Sequence, residues 1–147
     1  MPRPFQFRLE KVLEYRRQLE ETAQQVLARA RMDEARQEAR LRDLTISLEE
    51  GEKRLASQSR LTAGDIWLWR NYRTRLLDEI REAEARLIQM ARIAEKRRLE
   101  VLKASKDKKL LEKLKEKQAK RHEWDQLHRE QEAFDEMATI RFSHQSL

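Results

Sequence analysis

Ser57-Gln-Ser-Arg-Leu-Thr-Ala-Gly-Asp65 is the stretch that decides the fold, because only here between residues 10 and 140 does a helical pattern clearly stop and restart. Thr62 can cap a new helix by accepting a hydrogen bond from the backbone N–H of Asp65, whose carboxylate can reach back to the Thr62 N–H. Leu61 and Ile66 flank this cap as a hydrophobic staple. The stretch therefore predicts the turn of a helical hairpin.

The composition favours long exposed helices over a closed globular core. Of the 147 residues, 41% are charged and 6% aromatic, and the mean hydropathy is −0.98. The sequence contains no cysteine, which excludes disulfides and thiolate metal sites and permits a reducing compartment. No apolar run approaches the ~20 residues of a membrane span, and the N-terminus lacks a hydrophobic signal core. We therefore expect a cytoplasmic protein.

The first helix is expected over about residues 5–57, followed by a turn at about 58–62. Its apolar residues recur in steps of three and four, which is the heptad pattern of a coiled-coil seam. This predicted seam comprises Leu9, Val12, Arg16, Leu19, Ala23, Val26, Ala30, Leu41, Leu44, Leu48 and Leu55. Asp33 and Gln37 stand where apolar residues are expected, so this part should pair closely but weakly. Gly51 lies inside the helical pattern and disfavours it by about 1 kcal/mol relative to alanine.

The second helix is expected over about residues 63–141 and completes a single hairpin domain of residues 1–147. At 1.5 Å per residue the two helices would be roughly 75 Å and 115 Å long. Leu9 should lie opposite Lys113, and the chain beyond about residue 118 should overhang. This overhang carries an apolar stripe at helical spacing that consists of Trp124, Leu127, Phe134 and Met137. Such a stripe indicates a partner-binding site, or alternatively self-association.

A second apolar cluster follows the turn and comprises Trp67, Leu68, Trp69 and Tyr72. These side chains point in several directions from a helix, so one opposing helix cannot bury them all. The cluster indicates either a partner site or packing over the tip.

The charge is unevenly distributed along the second helix. Residues 92–121 contain thirteen basic and five acidic residues, whereas residues 122–147 contain two basic and six acidic residues. The basic face comprises Lys106, Lys108, Lys109, Lys113, Lys115 and Lys117. Such a face attracts an acidic protein surface or a polyanion, although a solvated helix face is its commonest explanation. A nucleic-acid-binding coiled coil is therefore one alternative, but no recognition motif for a specific nucleic acid is present.

The sequence offers little support for catalysis. It contains neither a phosphate-binding loop nor a nucleophile elbow, and a two-helix hairpin encloses no pocket for a reacting group. His122 and His128 lie on different faces of a helix and lack the spacing of a zinc site, so they and His144 are expected to be exposed. We expect no enzyme activity, no cofactor and no metal.

Three segments resemble the flagellar FliJ family. These are Phe5-Gln-Phe-Arg-Leu-Glu-Lys-Val-Leu13 with Tyr15-Arg-Arg, then Lys108-Lys-Leu-Leu-Glu-Lys-Leu-Lys-Glu-Lys-Gln118 with Trp124, and Glu132-Ala-Phe-Asp-Glu-Met-Ala138 with Arg141. The resemblance spans essentially the whole chain. It implies a coiled-coil component of the flagellar type III protein export apparatus, similar in architecture to the central stalk of rotary ATPases.

The resemblance also implies partners and their contact residues. Its partners would be the hexameric flagellar export ATPase, the cytoplasmic domain of the export-gate membrane protein, and export chaperones, at the cytoplasmic face of the inner membrane. Contacts with the ATPase ring would fall on Phe5, Phe7, Arg8, Leu9, Lys11, Val12, Trp124, Leu127, Glu132, Phe134, Asp135, Glu136, Met137 and Arg141. Contacts with the gate would fall on Trp67, Trp69, Asn71 and Tyr72. A stalk protein of a virulence type III secretion system is a further alternative.

Overall fold

A computed structural model of the protein describes residues 3–145. Helix α1 spans Glu10–Ser57 and helix α2 spans Ala63–Gln145. The two helices pack against each other, and residues 3–145 contain no strand. The predicted all-α helical hairpin is therefore confirmed.

The turn between the helices has the capping geometry that its sequence predicts. The Asp65 backbone N–H donates to the Thr62 hydroxyl at 3.1 Å, and the Thr62 N–H donates to the Asp65 carboxylate at 3.1 Å. The first turn of α2 closes with a bond from the Ile66 N–H to the Thr62 carbonyl at 3.2 Å. This reciprocal capping box fixes the start of α2.

The helix termini differ from the expected ones at both ends of the hairpin. α1 begins at Glu10 rather than near residue 5, because the chain before it is not helical and instead packs its Phe7 side chain into a buried position. α2 continues to Gln145 rather than to about residue 141. No proline or glycine follows Gly64, so nothing in the sequence breaks this helix.

The chain divides into two compact units. One unit comprises Met1–Glu21 and Lys103–Leu147, and the other comprises Thr22–Leu102. In the first unit Leu13 is completely buried, and ion pairs join the two helices beside it. Glu20 lies 2.9 Å from Lys108, and Glu10 lies 2.8 Å from Lys115. These charges flank a small apolar contact, so much of the interhelical surface in this unit is polar.

The second unit has a core of small side chains. Its buried apolar residues are Leu27, Ala30, Leu76, Ala83 and Ala94. Gln37 is also buried, and its side-chain amide donates to the Ala83 carbonyl at 3.2 Å. The alanines allow the helices to approach closely, while they contribute little apolar area to stability.

Up to Val26 the seam of α1 lies one position later than the apolar repeat predicts, whereas from Ala30 onward the predicted residues are buried or half-buried. Leu9, Val12, Leu19 and Val26 are exposed by 36% to 42%, whereas Leu13 and Leu27 are buried. Two candidate apolar rows exist one residue apart, and the row through Leu13 also places Glu20 against Lys108. The observed register therefore combines apolar burial with charge pairing.

Neither helix contains a stretch that is long and apolar enough to cross a membrane, as judged over the described part of the chain.

Candidate partner-binding surfaces

An extended N-terminal segment covers α2 further than a helix of the same length could. His122 Nε2 and the Gln126 side-chain amide both donate to the Arg3 carbonyl at 2.9 Å. The Phe5 ring also lies 5.7 Å from the His122 ring. A chain outside a helix can advance up to about 3.3 Å per residue against 1.5 Å in a helix, so the non-helical residues 3–7 reach beyond the expected limit near residue 118. The expectation that His122 is an ordinary exposed side chain is wrong.

This packing divides the N-terminal residues that the family resemblance assigns to the ATPase ring. Phe7 is buried and Phe5 is half-buried, so both side chains hold the segment in place. The other four residues are exposed and available to a partner, namely Arg8, Leu9, Lys11 and Val12.

The overhang of α2 consists of residues 127–145, all of which are exposed. Of the apolar stripe, Phe134 is 71% exposed and Met137 is 60% exposed. Trp124 and Leu127 are likewise exposed at its start. Large apolar side chains left open in this number are typical of binding surfaces.

Two further apolar side chains of the overhang, Ile140 and Phe142, are exposed and were not predicted as site residues. Phe142 is separated from Trp124 by about five helical turns and therefore lies on the same side of α2. That spacing was the available sequence signal. Ile140 lies three residues after Met137 and therefore adjoins the end of the stripe.

Polar contacts within α2 order part of the overhang. The Trp124 and His128 rings stack at 5.1 Å with an interplanar angle of 6°. His128 Nε2 lies 3.2 Å from the Glu132 carboxylate. The remaining polar residues that the resemblance assigns to the ATPase ring are exposed, namely Asp135, Glu136 and Arg141.

In the apolar cluster beside the turn, one side chain packs against α1 and the others are exposed. Trp69 is half-buried and packs over Gly51 so closely that a Cβ atom there would collide with the indole ring. Trp67 and Tyr72 are exposed, and Asn71 beside them is exposed as well. An open groove of about 380 Å³ adjoins them, with Leu55, Leu68 and Tyr72 among its lining residues.

Only four of the six lysines that the sequence assigns to the basic face are exposed. Lys108 and Lys115 point towards α1, where they pair with Glu20 and Glu10. The other four lysines are exposed on α2, and we call them the basic stripe: Lys106, Lys109, Lys113 and Lys117. None of these four forms an ion pair within residues 3–145.

The electrostatics of the described residues do not single out a catalytic group. The Arg98 guanidinium lowers the pKa of Glu95 by hydrogen bonding at 2.7 Å and 2.9 Å and by its charge, and Glu95 raises the pKa of Arg98 in return. Both side chains lie on the exposed surface of α2, so the pair is an ordinary helix-surface contact. Among residues 3–145 no three His, Cys, Asp or Glu side chains are grouped as metal ligands would be.

These features define an all-helical hairpin protein with unpartnered apolar side chains beside its turn and along the end of α2. The family model described as Flagellar FliJ protein matches residues 5–147. The chain therefore belongs to the FliJ family, and membership implies a component of the flagellar protein export apparatus. No curated protein and no solved structure matches the chain.

Proposed function

We propose that this chain is a non-enzymatic coupling component that joins the hexameric export ATPase to the export gate. The observation that carries the proposal is the exposed apolar stripe on the overhang of a chain that belongs to the FliJ family. A helix end with large open apolar side chains is suited to insertion into a ring that would bury them. The chain is then cytoplasmic and associates with the inner membrane only through the export apparatus.

The ring contact is assigned to the overhang together with the start of the chain. Both belong to the unit formed by Met1–Glu21 and Lys103–Leu147, in which the Arg3 carbonyl is held by His122 and Gln126. Phe134, Met137 and Leu127 supply apolar burial, and Trp124 extends the same surface. The polar contacts are assigned to Arg8, Lys11, Glu132, Asp135, Glu136 and Arg141, with Leu9 and Val12 beside them.

The gate contact is assigned to the exposed residues that follow the turn. Trp67, Asn71 and Tyr72 are free to meet a partner, while Trp69 supports them by packing over Gly51. Aromatic side chains of this kind contribute strongly to protein interfaces because they bury a large area with few rotatable bonds. Export chaperones are the third proposed class of partner.

The ring contact is tested by the double variant Phe134→Ala/Met137→Ala. Each fully buried side chain of this kind contributes about 2 kcal/mol, so the double change should weaken ring binding up to about a thousandfold. Binding to the ATPase ring and stimulation of ATP hydrolysis are measured, with helical content followed by circular dichroism. Helicity should be unchanged because these side chains touch neither α1 nor the N-terminal segment.

Thr139→Ala is the control, because Thr139 is an exposed residue of the same overhang that projects from the side of α2 opposite Phe134 and Met137. This control variant should bind the ring with nearly the affinity of the unmodified chain. Undiminished binding by the double variant would contradict the assignment. Binding to RNA or DNA that falls steeply with salt, together with indifference to the ATPase, would instead favour the nucleic-acid alternative.

The gate contact is tested separately with Trp67→Ala/Tyr72→Ala. This variant should lose binding to the cytoplasmic domain of the export gate and keep its effect on the ATPase, because the two surfaces use different residues. Equal loss of both activities would contradict the division of the chain into two contact sites.

A further inference from the structure

The basic stripe lies on the same side of α2 as Trp124 and Leu127, the first two residues of the apolar stripe, and as Phe142. Lys106, Trp124 and Phe142 are separated by intervals of about five helical turns, so their side chains leave the helix in the same direction. Lys109 and Leu127 are related in the same way. This side of α2 therefore runs from the basic stripe into the overhang, whereas Met137 projects from the side of Lys108 and Gln126.

α1 cannot cover this side of α2. The α2 residues that meet α1 or the N-terminal segment include Lys108, Lys115 and His122, which project from the opposite side. Leu110, which adjoins the basic stripe, is accordingly 68% exposed, and Phe142 is 74% exposed. Any molecule that covers this side must come from outside the hairpin.

The two halves of the exposed side carry opposite charge. Residues 103–121 contain nine basic and three acidic residues, whereas residues 122–147 contain two basic and six acidic residues. In the first half, Lys109 and Lys113 flank the apolar side chain of Leu110 in a shallow apolar depression. In the second half, Glu123 and Glu130 flank the apolar stripe. The charges of the two halves are therefore complementary.

We propose that two copies of this chain pair through this side of α2 in an antiparallel, two-fold symmetric dimer. An antiparallel arrangement places the basic half of each copy opposite the acidic half of the other, whereas a parallel arrangement would oppose like charges. In a two-fold symmetric dimer this contact forms twice, because the basic half of each copy meets the acidic half of the other. The apolar side chains, among them Leu110, Trp124 and Phe134, then line the seam between the two copies.

The dimer would cover the overhang that the proposed function assigns to the ATPase ring. If that assignment holds, self-association and ring binding exclude each other, and the dimer is a storage form that the ring opens. The dimer itself does not depend on that role. It is therefore tested on the isolated chain without the ATPase, so failure of either idea leaves the other to be judged separately.

The test uses two charge-reversed variants of the full chain in sedimentation equilibrium. Lys109→Glu/Lys113→Glu makes two contact positions of the basic half acidic and lowers its net charge from +6 to +2, and Glu123→Lys/Glu130→Lys makes two contact positions of the acidic half basic and raises its net charge from −4 to 0. Each variant alone opposes like charges and should dimerise at least about tenfold more weakly than the unmodified chain. An equimolar mixture should recover dimers, because both contacts then pair opposite charges.

Asp125→Lys/Glu136→Lys is the matched control, because it makes the same charge change in the acidic half on a different side of α2. It should dimerise like the unmodified chain. A chain that stays monomeric up to about 100 μM, where even weak specific pairing would be visible, overturns the proposal. So does a dimer that both reversed variants keep, or a mixture that remains monomeric.

Discussion

Gly51 and Trp69 offer a sharp test of how the hairpin is packed near its turn. Replacing a glycine inside a helix with alanine normally stabilises that helix by about 1 kcal/mol. At Gly51 the added Cβ atom would instead collide with the six-membered part of the Trp69 indole. The ring must move outward or the helices must separate, and overpacking of this kind costs about 1 to 3 kcal/mol.

We therefore expect Gly51→Ala to lower the free energy of unfolding by about 1 kcal/mol, since the packing penalty exceeds the gain in helix propensity. In a Trp69→Ala background the collision partner is gone. The same substitution should then raise the free energy of unfolding by up to about 1 kcal/mol. The sign of the effect reverses because the two residues are in direct contact.

Gly64→Ala is the natural control for the propensity part of this argument. A Cβ atom at Gly64 meets only the Thr62 hydroxyl, at an ordinary distance of 3.7 Å. This substitution should stabilise the hairpin by about 0.5 to 1 kcal/mol, whichever residue occupies position 69.

Urea unfolding followed by circular dichroism measures all of these variants. Fluorescence reports on the Trp69 environment if Trp67 and Trp124 are replaced with phenylalanine. A Gly51→Ala variant that is equally stabilising with and without Trp69 would refute the packing, because it would show that the indole does not rest on Gly51.

Three further predictions concern contacts within the hairpin. Thr62→Ala should lower the free energy of unfolding by about 1 kcal/mol, because it removes the acceptor that caps α2. Lys108→Ala should lower it by about 1 to 2 kcal/mol, because it leaves the largely covered Glu20 carboxylate without its lysine. Because the pKa of Glu95 is lowered from its ordinary 4.5 in the folded chain, its contact with Arg98 stabilises α2 above that pH and is lost as the pH falls through the folded pKa. Glu95→Gln should therefore weaken the acid dependence of helicity at low salt.

Each of these predictions has an outcome that contradicts it. Unchanged stability of Thr62→Ala would mean that the capping box does not define the start of α2. Lys106→Ala is the control for Lys108→Ala, since Lys106 is exposed and forms no ion pair within residues 3–145; equal effects would disprove the seam position of Lys108. An acid titration that is identical in Glu95→Gln would show that the helix-surface pair has no influence on helicity.

The turn and the fold class could be read from the sequence because both depend on local chemistry. A capping box needs only residues that are close in the chain. Thr62 and Asp65 therefore predict it whatever the sequence of the partner helix. The heptad pattern and the absence of helix breakers after Gly64 likewise predict a long second helix. Both features appear in the structure where the sequence places them.

The register of the seam and the path of the N-terminus depend on residues that are distant in sequence. Val12 and Leu13 are both apolar, and the pattern alone does not decide which of them is buried. Pairing of Glu20 with Lys108 belongs to one of these registers, but it connects residues on different helices. Phe7 likewise becomes a buried anchor rather than a free partner residue, because the extended chain before α1 lies along α2.

The distribution of apolar side chains indicates that this hairpin is better suited to binding a partner than to forming a highly stable fold. Its seam relies on alanines, on the buried amide of Gln37 and on interhelical ion pairs, each of which contributes modestly to folding. The aromatic side chains of the overhang remain exposed instead, with Phe134 and Phe142 among them. Apolar burial is the largest favourable contribution to association. The free energy that these exposed side chains can contribute by burial is therefore available for contact with another molecule.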